Sequence, residues 1–220
     1  TGKSTVAAVL ADRLGVAWRD ADAVLEDRIG SSIAALVGSR GEAAFRDLET
    51  EVLRDTLPAF TGVLATGGGV VLRPENRRLL RERGRPVVWL TAPADVIRRR
   101  LAADPTTAAR RPALSGGDPL DEVAAALHAR EPLYREVADV AFDTATESPA
   151  VVAERILAWL DAASPEATHD RAAPPPGLGR HRCGGSGRGK ARDRARRAAG
   201  RRRWDGPAGA AGRRVWSLVS

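Results

Sequence analysis

The chain has 220 residues, 43% hydrophobic and 29% charged, with a net charge of +7, one cysteine and no methionine. That length suits one domain of ordinary size with something added. The lone Cys183 excludes an intrachain disulfide and a cysteine metal cluster, His128, His169 and His181 show no ligand spacing, and no apolar run is long enough to span a membrane.

The charge is unevenly placed. Residues 1–160 carry 21 basic and 23 acidic side chains, whereas residues 161–220 carry 14 and 5, so the isoelectric point near 10.9 belongs to the C-terminal stretch. The absence of methionine means that Thr1 is not a translation start, and sequence is expected to precede it.

Thr1-Gly2-Lys3-Ser4-Thr5 reads as the back half of a phosphate-binding loop, G-x-x-x-x-G-K-[ST]. A glycine lets backbone approach a phosphate, a lysine neutralises its oxygens, a serine hydroxyl can hold Mg²⁺, and a helix starting there turns free N–H groups toward the anion. Val6, Val9, Leu10 and Leu14 supply the helical spacing, and Gly15 stops it. Lys3 is the only lysine in a 160-residue span that holds 20 arginines. A compact ammonium is kept where a planar guanidinium is otherwise the rule, and the two are not equivalent at phosphate sites.

Val16-Ala17-Trp18 predicts a short strand, and Asp20 and Asp22 follow at its C-terminal end. In an open parallel sheet ligands bind at that edge. Ala23 to Ile29 predicts a helix, with Asp22 a possible cap for it. Ser31-Ser32 can cap another, and Gly41 separates that one from a long helix with Phe45, Leu48, Val52 and Leu53 on its apolar stripe. Arg46 and Glu49 lie at i and i+3 on another face, where a simple intrahelical ion pair is one reading of both. Gly62 to Thr66 predicts a strand running into Gly67-Gly68-Gly69, a run that is costly to order unless backbone must approach a ligand. Pro74 to Arg83 predicts a polar helix, Pro86 to Leu90 a buried strand, and Ala94 to Ala103 an arginine-rich helix.

Residues 104–119 lack periodicity and carry Arg110 and Arg111. Connections of that length inside a domain are lids, binding loops or disordered segments. Leu120 to Val137 predicts a helix or helix pair interrupted by Pro132, Val140 to Phe142 a strand, and Val151 to Leu160 a last helix. Strands alternate with helices throughout residues 1–160, the signature of a parallel sheet covered on both faces. Residues 161–220 break this order: glycine and proline make up 15 of 60, and Leu178, Val215, Leu218 and Val219 are the large aliphatics. Such a stretch is expected to remain disordered.

A lysine and serine for phosphate and Mg²⁺, two carboxylates at the next strand end, a glycine triplet and scattered arginines form an inventory for phosphoryl transfer. No Asn-Lys-x-Asp guanine-reading motif occurs, which favours a small-molecule kinase over a GTPase. The segments Gly2-Lys3-Ser4-Thr5, Asp20-Ala21-Asp22, Gly41-Glu42-x-x-Phe45-Arg46-x-x-Glu49, Thr66-Gly67-Gly68-Gly69, Arg111-Pro112 and Arg130-x-Pro132-Leu133-Tyr134 together resemble shikimate kinase, in that family's order across residues 1–160.

The resemblance implies a P-loop kinase-like three-layer α/β/α fold around a central parallel sheet. It implies that Thr1, Gly2, Lys3, Ser4 and Thr5 bind ATP phosphates, that Ser4 ligates Mg²⁺ directly, and that Asp20 does so through water. Asp22 would bind shikimate hydroxyls and accept the proton of the 3-hydroxyl. Arg46 and Arg130 would grip the substrate carboxylate, a task suited to a planar guanidinium. Gly68 and Gly69 would bring N–H groups to the substrate, Arg111 would close over the phosphates, and Arg100 would lie against the adenine with Pro149. The implied reaction is formation of shikimate 3-phosphate from ATP, in the pathway to chorismate and the aromatic amino acids, by a monomeric cytoplasmic enzyme.

Two departures from the family set further expectations. Its first strand, the central one, and the front of its phosphate loop are missing ahead of Thr1, so the chain is expected to be unstable or inactive. The tail is no part of the pattern. Its composition is that of out-of-frame translation of a GC-rich gene, with no selected function, or else of a disordered basic arm that binds nucleic acid through Arg192, Arg194, Arg196, Arg197 and Arg201 to Arg203. Trp204 is the lone aromatic interleaved there, and no recognisable nucleic-acid module is present. Within the kinase class the competing reading is another small-molecule P-loop kinase such as gluconate kinase. Arg46, Gly67 to Gly69 and Arg130 separate the two.

Overall fold

The computed structural model describes residues 2–103, 119–163 and 215–220. In chain order the elements are α1 (Lys3–Leu14), β1 (Ala17–Asp20), α2 (Ala21–Ile29), α3 (Ile33–Ala59), β2 (Gly62–Ala65), a 3₁₀ turn (Val70–Leu72), α4 (Pro74–Arg83), β3 (Val87–Thr91), α5 (Ala94–Ala103), α6 (Pro119–Val137), β4 (Val140–Asp143), α7 (Pro149–Ala162) and β5 (Val215–Val219). All strand pairs are parallel, and the order across the sheet is β1-β2-β5-β3-β4. Helices cover both faces, which makes the three-layer α/β/α arrangement that the alternation of elements predicts.

The centre of the sheet differs from the sequence reading. That reading leaves the central place vacant and assigns residues 161–220 to a tail. Instead, Val215–Val219 lies between β2 and β3, in register with Gly62–Ala65 on one side and Val87–Trp89 on the other. All five residues of β5 are buried. The strand alternates: Trp216 and Leu218 enter the core against α1 and α7, while Val215 and Val219 enter the core on the opposite face. A strand buried on both faces reads as a near-continuous apolar run, and Val-Trp-Ser-Leu-Val is one. Full burial of a large apolar side chain contributes about 1.5–3 kcal/mol. The ground for expecting instability, exposed neighbours on either side of an empty place, does not hold here.

The local chemistry explains the other boundaries. Gly2 precedes α1 in the left-handed region (φ 80, ψ 28), where a side chain is disfavoured, and Gly15 ends it in the same conformation (φ 67, ψ 32). Asp20, not Asp22, caps α2: its Oδ1 accepts from the Asp22 backbone N–H at 3.0 Å. The helix therefore begins at Ala21, two residues earlier than expected, and Asp22 lies in its first turn. Gly41 (φ 81, ψ 167) kinks α3 between its two halves, as its placement in the sequence predicts. Pro132 lies inside α6 without ending it. Ser148 caps α7 and Pro149 takes its first position, which suits a residue without an N–H. Of the predicted lid, residues 104–118 lie outside the described residues and Pro119 opens α6.

Candidate active site

The C-terminal ends of β1, β2 and β5 lie side by side, and each delivers polar groups to one edge of the sheet. The first of two clusters there is built around the start of α1. Ser4 Oγ donates to Asp20 Oδ2 at 2.6 Å, while the other oxygen of Asp20 holds the start of α2. Lys3 Nζ donates to Ser220 Oγ at 2.8 Å, across 217 residues of sequence. The first-turn N–H groups of α1 have no intrahelical partner, so an amino group, a hydroxyl, a carboxylate and a helix N-terminus converge. Ser4 and Asp20 offer hard oxygen donors. They fit Mg²⁺, which takes one or two protein oxygens and fills its other positions with water and substrate phosphates.

The second cluster surrounds the glycine run, and each glycine there faces a different partner. A Cβ on Gly67 would stand 2.8 Å from Asp22 Oδ1 and 3.1 Å from Glu49 Oε1. One on Gly68 would meet the Ser220 backbone oxygen at 2.9 Å, with the Tyr134 hydroxyl and Arg130 Nη1 just beyond. One on Gly69 would collide with the Arg46 guanidinium. The absence of side chains from this run is therefore a steric requirement of the site. Val70 N–H donates back to Gly67 O at 3.1 Å, which turns the run into the short 3₁₀ segment, an element the sequence did not suggest.

Arg46 is held by two carboxylates. Its Nη1 donates to Glu49 Oε2 at 2.9 Å and its Nη2 to Glu42 Oε1 at 3.1 Å. Burial works against the charged guanidinium, and the two glutamates more than offset it. The glutamates differ: the Glu42 side chain is 56% exposed and that of Glu49 6%. Burial pushes the Glu49 carboxyl above the usual range, Arg46 draws it back, and the nearby Asp22 raises it again. Arg130 Nη1 reaches Gly68 O at 3.4 Å from α6. Tyr134, one turn further on, donates its hydroxyl to the same carbonyl and stacks on Trp89 with ring centroids 5.6 Å apart.

The residues singled out in the sequence fall into three groups. Gly2, Lys3, Ser4, Thr5 and Asp20 gather at the start of α1, and Asp22, Arg46, Gly68, Gly69 and Arg130 gather at the glycine run. Arg100 lies apart from both. It donates to Thr144 Oγ1 at 3.1 Å and to the carbonyls of Thr144 and Ala145, so it pins the turn that leads to Pro149. Thr1 and Arg111 lie outside the described residues.

Three contributors went unrecognised in the sequence. Glu49 was legible as a partner of Arg46, but no pattern placed it in the core beside Asp22. Tyr134 belonged to a recognised segment without a task of its own. Ser220 was hidden in the basic stretch.

Comparison with known proteins agrees with this geometry. The shikimate kinase family profile matches residues 1–161. A shikimate kinase of Nitratidesulfovibrio vulgaris is 49% identical over 138 residues, covering 63% of this chain and 78% of that protein. One from Paracidovorax citrulli is 51% identical over 140 residues, covering 63% and 74%. Among solved structures, the shikimate kinase of Acinetobacter baumannii in complex with shikimate superposes with a TM-score of 0.67 at 35% identity, covering 73% of this chain and 87% of that one. The profile match spans more than half of the chain and takes in both clusters except Ser220. The chain therefore belongs to the shikimate kinase family.

Proposed function

We propose that the protein transfers the γ-phosphoryl group of ATP to the 3-hydroxyl of shikimate, giving shikimate 3-phosphate and ADP on the route to chorismate and the aromatic amino acids. The observation that carries this reading is the convergence of Asp22, Arg46 and Arg130 on the glycine run, separate from the phosphate-binding start of α1. A carboxylated polyol needs cations away from the ATP phosphates, and the second cluster supplies two.

In this mechanism the N-terminal turn of α1, with Gly2, Lys3, Ser4, Thr5 and Thr1 before it, receives the phosphates of ATP. Ser4 and Asp20 would hold Mg²⁺, which neutralises phosphate charge when bound. Asp22 accepts the proton of the attacking 3-hydroxyl as its oxygen bonds to the γ-phosphorus. The bond from that phosphorus to the bridging oxygen breaks, and ADP leaves with the electron pair. Arg46 and Arg130 hold the shikimate carboxylate. Glu42, the exposed partner of Arg46, is the one the substrate displaces, while buried Glu49 keeps the guanidinium aimed. Gly68 and Gly69 let backbone N–H groups reach the substrate, Arg111 closes over the phosphates from residues 104–119, and Arg100 with Pro149 borders the adenine. We assign a monomer acting in the cytoplasm. Among the described residues no helix is long and apolar enough to cross a membrane.

The test is ATP consumption coupled to shikimate, with gluconate as the control. Shikimate-dependent turnover is expected, with kcat/KM for shikimate reduced at least about 10²-fold in Arg46→Ala, the scale for losing a charged, hydrogen-bonded clamp. Turnover with gluconate and none with shikimate, in folded protein that binds ATP, would overturn the assignment.

A further inference from the structure

Ser220 belongs to neither the family match nor the motifs that identify the site. It follows β5, and its surroundings tie it to both clusters. Its hydroxyl accepts from Lys3 Nζ at 2.8 Å, and its backbone oxygen lies 2.9 Å from where a Cβ on Gly68 would stand. The strand behind it is fixed by its neighbours. Thr66 donates from both its N–H (3.0 Å) and its hydroxyl (3.1 Å) to Leu218 O, and Ser217 N–H donates to Pro86 O at 3.1 Å. A hydroxyl on so fixed a support holds a defined position, while a lysine side chain on its own carries more rotameric freedom than almost any other.

We propose that Ser220 is a positioning residue for Lys3: β5, inserted from the far end of the chain, presents the hydroxyl that aims the ammonium into the phosphate site. The competence of that site for ATP then depends on the docking of the C-terminal strand. This rests on the kinase reading for its kinetic consequence, but the contact itself can be tested without it.

Lys3 and Lys190 are the two lysines of the chain, which makes the contact measurable directly. The chain of residues 1–220 and its Ser220→Ala and Ser220→Thr variants are treated with limiting amine-acylating reagent, and modification of Lys3 is read by peptide mass spectrometry against Lys190. Ser220→Ala is expected to raise Lys3 acylation relative to Lys190 and to worsen KM or kcat for ATP by about threefold to tenfold, the range for one net hydrogen bond. Ser220→Thr should restore both, and KM for shikimate and the thermal midpoint should not move. Unchanged Lys3 reactivity in Ser220→Ala overturns the contact whether or not the protein phosphorylates shikimate. Raised reactivity with unchanged ATP kinetics, or with shikimate KM and thermal midpoint shifting equally, overturns the positioning role. Failure of the shikimate assay in every variant, with Lys3 reactivity responding as expected, would strike the kinase reading alone.

Discussion

β2 and β5 are neighbours in the sheet, buried throughout, and each carries one of the two polar clusters on its C-terminal end. β2 runs into Gly67–Gly69, against which Asp22, Glu49, Arg46 and Arg130 gather. β5 runs into Ser220, against which Lys3 lies. One strand stands between helices that announce it, and the other follows a stretch rich in arginine, glycine and proline. The difference teaches that burial belongs to a position in the fold, whereas legibility belongs to the surrounding sequence.

The sharpest way to break the equivalence is to truncate one core residue in each strand. Leu64 and Leu218 are both fully buried, facing opposite sides of the sheet. If both strands are central, Leu64→Ala and Leu218→Ala should each cost about 2–5 kcal/mol in urea or guanidinium unfolding, the range for a leucine deleted from a packed core. A passenger tail would put Leu218→Ala within about 0.5 kcal/mol of the parent while Leu64→Ala stayed costly. Equal, large losses would also show that the C-terminal strand unfolds with the rest of the sheet.

The same comparison explains how far the sequence could be read. The alternation of helices and strands over residues 1–160 gave the three-layer class, because each element was long or periodic enough and was bounded by glycine, proline or a cap. Asp20 and Asp22 were placed at the right sheet edge, but which of them caps α2 depends on backbone angles that spacing does not reveal. Pro132 was read as a breaker, yet α6 continues through it. Packing of buried Tyr134 and Val137 outweighs the lost hydrogen bond there. Val-Trp-Ser-Leu-Val was seen only as aliphatics in a biased window. A five-residue apolar run has no periodicity to separate strand from helix, and partners more than 120 residues away leave no local trace. Glu49 failed for a related reason: its spacing from Arg46 was visible, and its burial was a property of the helix's packing.

A smaller effect sharpens the division of labour between the two strand ends. Gly69 has φ −94 and ψ −2, a conformation that alanine adopts without strain. The consequence of Gly69→Ala is therefore the collision of its methyl group with the Arg46 guanidinium, the movable end of a long side chain. The fold should tolerate the substitution while Arg46 is displaced. An ångström of misplacement can cost on the order of 10²-fold, so kcat/KM for shikimate should fall roughly 10- to 100-fold with KM for ATP unchanged. A matching loss on the ATP side would mean that the glycine run serves both clusters, and that β2 and β5 do not divide the site.

The smallest expected effect concerns Glu49, the buried carboxylate at the β2 end. Burial, opposed by Arg46 and reinforced by Asp22, holds its carboxyl above the ordinary glutamate range. The folded protein therefore keeps this proton more tightly than the unfolded chain does. The stability this contributes is complete below the ordinary glutamate range and is lost as pH rises through the raised value in the folded state. Glu49→Gln removes that titration and keeps the shape of the side chain. Many other carboxylates titrate in the same interval, so the readout is the difference in unfolding free energy between variant and parent, followed from acidic to neutral pH. That difference should shift in favour of Glu49→Gln as pH rises. A shift in the opposite direction would mean that pairing with Arg46 outweighs burial and that the carboxylate is held ionised.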